Sequence, residues 1–401
     1  MKAVHGKSAH TVCAAGEGEP SSSRRDFIVK GGAITAALAS GLCLPRPNQT
    51  AVAGLVASAS TQLTVAKADE VKSSLSIPSN AAGSMKTCKI PHTDLVVSRL
   101  AYGCAMLGLD WDSPEFIGKT VPNVNTALER GINFFDTADV YGHGKAELAL
   151  GEVLRQSPGL RNKIVLQTKC GDRFAEDDQV DNSREHILSS VEGSLERLNT
   201  DHVDILLLHW PDSLVEPDEV ARAFDDLHKS GKVRYFGVSN HGPYQIEILQ
   251  KSVRQPLVAN QIQLGLAHWY TEAGTVKGAL THGAEGVVTL DYCRAHDIQV
   301  QAYSPLRAAN INLLNPPIDA TPEVKKAAQA LTEVANRHST SPSAVMLAWI
   351  LHHPARIIPI IGTTKPEHVI DNCMADRLEL TRGEWYSLLQ AVAQIDAPKT
   401  A

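Results

Sequence analysis

The chain has 401 residues, 20% of them charged and 43% apolar, with a formal net charge of −6. That length holds one barrel-sized domain plus an extension, and the fractions are ordinary for a globular protein. The acidic balance argues against phosphate-backbone binding, which needs a basic face, and an aromatic fraction of 5% leaves no stacking platform for bases. Cys13, Cys43, Cys88, Cys104, Cys170, Cys293 and Cys373 are scattered without a C-x-x-C pair, so they read as buried or idle thiols.

Residues 1–60 read as an export signal with its cleavage region. Ser23-Arg24-Arg25-Asp26-Phe27-Ile28-Val29-Lys30 is basic and precedes Gly31 to Leu44, which is uncharged and mostly small or apolar. That run has signal-peptide length and is too short for a stable membrane anchor. The paired arginines before Phe27 resemble a twin-arginine signal, and Ala51-Val52-Ala53 and Ala57-Ser58-Ala59 offer cleavage sites. The expected destination is the periplasm. Competing readings are a disordered Ala/Ser-rich extension of a cytoplasmic protein or a plastid transit region, because the leader before Arg24 is long. Residues 61–85 read as a flexible polar linker.

Residues 86–401 read as one domain. Two short runs around Pro91-His92-Thr93-Asp94 suit a hairpin at the bottom of a barrel. Apolar, β-branched runs then predict strands at Leu100-Gly103, Ile132-Asp136, Lys163-Lys169, Val203-His209, Val233-Ser239, Val258-Gln263, Ile298-Tyr303 and Ile357-Ile361. Amphipathic stretches separate them. In the stretch from Ser183 to Leu198, Ile187, Val191, Leu195 and Leu198 fall at helical spacing and Ser183 can cap the start. Eight strands alternating with helices predict an α/β fold, a (β/α)8 TIM barrel preceded by an N-terminal β-hairpin. A doubly wound open sheet is the competing arrangement. It is weakened because no G-x-G-x-x-G follows a strand, which also removes the Rossmann mode of dinucleotide binding.

Asp136, Lys169 and His209 stand at the ends of three successive predicted strands, and Tyr141 follows Asp136 in a loop that can turn back over the same mouth. Strand C-termini are where a parallel barrel gathers its catalytic groups. Carbonyl reduction needs a hydride for carbon and a proton for oxygen. A phenol, with a pKa of about 10, is a poor acid at neutral pH; an ammonium beside it favours the phenolate and brings the proton donor nearer to working range. Lys169 supplies that ammonium, Asp136 holds and aims it, and His209 hydrogen-bonds the substrate oxygen. Taken singly, each has a structural explanation as a rim tyrosine, a helix cap, an ion pair or a satisfied histidine; their order along the chain favours the catalytic one. His143, His352 and His353 have no ligand-like partners, so no metal site is expected.

The segment Gly131-Ile132-Asn133-Phe134-Phe135-Asp136-Thr137-Ala138-Asp139-Val140-Tyr141-Gly142, followed by Lys169 and Leu207-Leu208-His209, resembles the aldo-keto reductases. The resemblance continues through Gly237-Val238-Ser239-Asn240, Asn260-Gln261, Ala302-Tyr303-Ser304-Pro305-Leu306 and Pro359-Ile360-Ile361-Gly362-Thr363-Thr364-Lys365. His209-Trp210-Pro211-Asp212 and the segment from Leu227 to Arg234 look most like bacterial oxidoreductases of unassigned substrate. The resemblance implies reduction of an aldehyde or ketone with Asp136, Tyr141, Lys169 and His209 as the catalytic set and Tyr141 as general acid. It also implies that Ser239, Asn240 and Gln261 hold the nicotinamide carboxamide and that Tyr303 stacks on its ring. Ser304, Leu306, Gly362, Thr363, Thr364 and Lys365 would meet the phosphates, and Asp371 and Asn372 the adenine. Gly362 to Lys365 independently offers N–H groups, hydroxyls and a cation ahead of a helix, which suits phosphate. Many members carry an arginine three positions after Lys365. This chain has His368, so NADPH is expected over NADH with a thinner clamp on the 2′-phosphate.

The expected partner is a small carbonyl compound. The rival class is a nucleotide-binding regulatory barrel resembling channel-associated β subunits. Substrate contacts are expected from Leu107 to Asp112, His209-Trp210, His268-Trp269-Tyr270 and Arg307-Ala308-Ala309-Asn310, loops that specify neither the substrate nor the oligomeric state.

Overall fold

The computed structural model describes residues 85–107, 116–173, 179–267, 289–307 and 311–395. The export signal and nearly all of the linker fall outside these residues. Strands β1 (Thr87–Lys89) and β2 (Val96–Ser98) pair antiparallel as the expected hairpin. The next eight are β3 (Ala101–Gly103), β4 (Phe134–Asp136), β5 (Val165–Cys170), β6 (Val203–Leu208), β7 (Val233–Ser239), β8 (Leu257–Gln263), β9 (Gln299–Tyr303) and β10 (Ile358–Ile361). They form a closed barrel in the order β10-β3-β4-β5-β6-β7-β8-β9. Parallel pairing of Ile360 with Ala101 and Ile361 with Tyr102 closes the ring and excludes the open sheet.

Period-two alternation sorts the strand residues between two cores. Phe134, Val165, Ile205, Leu207, Ala259, Ile358 and Ile360 fill the bore together with Ile90, Leu95 and Val97 of the hairpin segment. Phe135, Leu166, Leu206, Leu208, Phe236 and Val300 belong to the larger cluster shared with the helices. Helix Arg184–Leu198 starts where its cap predicts, the Ser183 hydroxyl accepting from His186 N–H, and it buries Ile187, Val191, Leu195 and Leu198.

Several strand boundaries fall inside their apolar runs, and three of them have a visible local reason. The Asn133 side chain is drawn to the hairpin, accepting from Ser98 N–H at 2.7 Å and donating to the Val96 carbonyl at 3.0 Å, so β4 starts at Phe134. Arg161–Lys163 winds a 3-10 turn, so β5 starts at Val165. His209 lies one residue beyond β6, although its N–H still donates to the Cys170 carbonyl at 2.8 Å. The beginning and end of the barrel are tied at Asp376, which accepts from Lys86 N–H at 2.7 Å and pairs with Arg99 at 3.5 Å. The same Arg99 donates to the Leu351 carbonyl at 2.9 Å. Cys88, Cys104, Cys170, Cys293 and Cys373 are free thiols.

Candidate active site

The inward parity of β4 and β5 carries Asp136 and Lys169 into the bore, and both side chains are almost wholly buried. Lys169 Nζ donates to Asp136 Oδ2 at 2.8 Å, to the Thr137 carbonyl at 2.8 Å and to the Tyr141 hydroxyl at 3.1 Å. The ammonium also lies 4.7 Å from the centre of the Tyr141 ring. Gly142 and Gly144, at φ 58° and 84°, turn the loop after Tyr141 through left-handed backbone that glycine adopts without steric cost. Tyr141 meets His209 edge to face, with ring centroids 5.7 Å apart. The structure therefore brings together all four residues of the expected set.

Their electrostatics follow from burial. Burial pushes the Lys169 ammonium down, but Asp136 and then Tyr141 more than offset it, so the net direction is up and the group stays charged. Burial also pushes the Tyr141 phenol up, and the opposing pull of Lys169 does not reverse it. This differs from the expectation that the ammonium alone would lower the phenol: desolvation outweighs the ion pair, so the proton is retained at neutral pH. Burial, helped by Lys169, holds His209 well below the usual histidine range, so its imidazole is neutral. His209 Nδ1 lies 3.5 Å from Asp172 Oδ2, too poorly aligned to count as a hydrogen bond.

The expected cofactor residues fall into two groups. At the mouth, the Asn240 side-chain amide donates to Ser239 Oγ at 3.0 Å and to the His209 carbonyl at 3.1 Å, and Tyr303 OH donates to Asn240 Oδ1 at 3.0 Å. Asn240 and Ser304 follow β7 and β9 with φ 60° and 50°, so both strands end in left-handed backbone at the mouth. Leu306 is half-buried nearby in sequence. Gln261, expected to face the carboxamide, donates instead to Asp136 Oδ1 at 3.0 Å and to Gln301 Oε1 at 3.0 Å inside the bore.

In the second group, Gly362, Thr364 and Lys365 are exposed ahead of helix Pro366–Cys373. The segment is pinned by Tyr102 OH donating to the Thr363 carbonyl at 2.8 Å and Asn123 Nδ2 donating to the Thr364 carbonyl at 2.9 Å. A Cβ at Gly362 would meet nothing within 4 Å, so the backbone there is open to a ligand. Thr363 Oγ1 lies 3.4 Å from His368 Nδ1. Asp371 accepts from Ser341 at 2.7 Å and from Ser343, the same Ser341 that caps helix Pro342–Leu351, while Asn372 is buried.

Sequence reasoning missed Gln167, which donates to Asp136 inside the bore, Gln301, which accepts from Gln167, and Asp172 beside His209. Their signal was a polar residue at an inward strand position or just past a strand end. Residues 108–112, 268–270 and 308–310 of the expected substrate loops lie outside the described residues. Among the described residues no His/Cys/Asp/Glu group could hold a metal ion, and no helix is long and apolar enough to cross a membrane.

Comparison of the sequence with known families matches residues 99–392 to the aldo/keto reductase family. The chain belongs to that family. The uncharacterized oxidoreductase YcsN of Bacillus subtilis (strain 168) is 35% identical over 313 residues, which cover 76% of this chain and 97% of that protein. The 6-dehydroglucose reductase of Agrobacterium fabrum is 35% identical over 302 residues, covering 73% and 94% respectively. Among solved structures, the glycerol dehydrogenase of Gluconobacter oxydans superposes with a TM-score of 0.66 at 28% identity, covering 79% of this chain and 97% of that one. As an aldo-keto reductase, this chain is an NAD(P)H-dependent oxidoreductase of carbonyl groups, and the regulatory-subunit reading is not favoured.

Proposed function

We propose that this protein reduces an aldehyde or ketone to the alcohol with NADPH, using Tyr141 as the general acid. The observation that carries the reading is the bridge from Asp136 through Lys169 Nζ to the Tyr141 hydroxyl. Bound NADPH supplies the hydride for the carbonyl carbon. Tyr141 holds its proton at neutral pH and gives it to the substrate oxygen; the Lys169 ammonium then stabilises the phenolate left behind. Asp136 keeps that ammonium charged and aimed. His209, a neutral imidazole beside Tyr141, orients the substrate oxygen through a hydrogen bond.

The residues present fit the cofactor. Gly362 to Lys365 combines open backbone, two hydroxyls and a cation at a helix start, which suits phosphate. Ser239, Asn240 and Tyr303 form a hydrogen-bonded set of amide and hydroxyl groups suited to a carboxamide and ring. Lys365 and His368 would hold the 2′-phosphate. The test is Tyr141→Phe, which keeps the ring and removes the proton: turnover should fall by about 10²-fold or more while NADPH binding, titrated by fluorescence, persists. Near-normal turnover overturns the assignment. The substrate panel begins with a sugar carrying an aldehyde at carbon 6, because the Agrobacterium relative is named for 6-dehydroglucose.

A further inference from the structure

Below Lys169 the bore is not apolar: the amide side chains of Gln167, Gln261 and Gln301 are buried together around Asp136. Asp136 on β4 is in register with Gln167 on β5, and Gln261 on β8 is in register with Gln301 on β9, with β6 and β7 between the two pairs. The two pairs meet across the bore. Gln167 Nε2 donates to Asp136 Oδ1 and to Gln301 Oε1, both at 2.7 Å. Gln261 Nε2 donates to the same two oxygens, each at 3.0 Å. Gln301 Nε2 donates back to Gln167 Oε1 at 2.8 Å.

Only one assignment of these amides is self-consistent. A carboxylate accepts and cannot donate, so turning Gln167 over would set its carbonyl against Asp136 Oδ1. Turning Gln301 over would set its amino group against two other amino groups. Gln301 makes no hydrogen bond to Asp136, Lys169 or Tyr141, yet its carbonyl fixes the face that Gln167 and Gln261 show to Asp136. With Oδ1 occupied by two amides, Oδ2 is the oxygen presented to Lys169.

We propose that Gln301 is a positioning residue for the reaction: through Gln167 and Gln261 it holds the Asp136 carboxylate in the one orientation that aims Lys169 at Tyr141. This rests on the catalytic reading of Asp136, Lys169 and Tyr141. The competing explanation is that the three amides only satisfy one another in a buried layer.

The test is Gln301→Met, which keeps side-chain length and removes the acceptor. Gln167 and Gln261 then lose the acceptor that anchors their amino groups opposite Asp136, and the donors to Asp136 are held less firmly. The expected result is a fall of about tenfold in kcat/KM, with the dissociation constant for NADPH within about twofold of wild type. The alkaline limb of the pH profile should move to higher pH, because a less compensated Asp136 charge disfavours the phenolate on Tyr141. In a double-mutant cycle with Gln167→Met, which removes a donor to Asp136 directly, the effects should be less than additive. An unchanged kcat/KM and pH profile, or additive effects, overturns the proposal, even if Gln301→Met lowers the melting temperature. If Gln301→Met does not fold, Gln167→Met alone decides: its alkaline limb must move the same way, and a fixed limb overturns the proposal. Tyr141→Phe separates the two readings, since an inactive Tyr141→Phe enzyme beside a normal Gln301→Met enzyme overturns this inference alone.

Discussion

The Lys169 ammonium lies 3.1 Å from the Tyr141 hydroxyl and 4.7 Å from the centre of the same ring. One cation therefore acts on both forms of the phenol, bound to its oxygen and near its π-face, and its charge gains most when the proton leaves.

Lys169→Met removes that charge and leaves Asp136 buried without its ion partner. Turnover at neutral pH should fall by about 10²-fold or more, and the alkaline limb should move up because burial, which already raises the phenol, then acts unopposed. Asp136→Asn should lower turnover less severely, because it weakens the hold on the Lys169 ammonium without removing it. A pH–rate profile of each variant checks this; an unchanged shape would make Lys169 a structural residue.

His209 is held well below the ordinary histidine range by burial and then by Lys169, so it is already neutral at pH 6.5. The wild-type kcat/KM profile should show no acid limb from His209 between about pH 6 and 7. A limb in that range that disappears in His209→Gln would contradict the neutral imidazole.

His241 gives the fold itself a pH dependence. Its Nδ1 lies 2.7 Å from the Ser239 carbonyl, and burial pushes the ring down to about 4 against that hydrogen bond. The folded value is depressed, so stability from the neutral ring is complete above the unfolded value of about 6.5 and is lost as pH falls toward 4. The slope is about 1.4 kcal/mol per pH unit in that window. Denaturant titrations at pH 7.0 and 5.0 should show the loss, and His241→Gln should flatten it.

Cofactor choice is exposed at Lys365 and His368, both outside the buried part of the chain. A 2′-phosphate carries roughly two negative charges near neutral pH. Lys365→Ala should weaken NADPH by about tenfold or more while NADH changes little, and His368→Arg should tighten NADPH through a bidentate contact. Fluorescence titration with both nucleotides measures this. Equal wild-type affinities for the two would remove the segment from the phosphate site.

We propose export through the paired arginines. Replacing Arg24 and Arg25 by lysine together should leave a longer precursor in the cytoplasm, scored by fractionation and mass. Mature protein of unchanged length in the periplasm rules the twin-arginine reading out.

The fold was legible because the β-branched runs carry both the strands and their parity. The run Val233 to Ser239 matches β7 at both ends, and Asp136, Lys169 and His209 were legible as groups at strand ends with Tyr141 in the loop after the first. Gln167, Gln261 and Gln301 were not legible as a unit. Each is a polar residue at an inward position, but that they meet depends on the stagger of a closed ring, which no local pattern encodes. The net direction at Tyr141 was misjudged for a related reason: a sequence shows the charge beside a phenol and not the water excluded from both.

A ring of strands drawn from one chain has a seam where its first and last members meet, and here Ile360 and Ile361 pair there with Ala101 and Tyr102. Asp376 stitches that seam from the outside through Lys86 N–H and Arg99. The main-chain N–H of Lys86 is therefore part of what closes the barrel. A cut beyond Lys86 would remove one of these two ties and leave the Arg99–Asp376 pair as the remaining one.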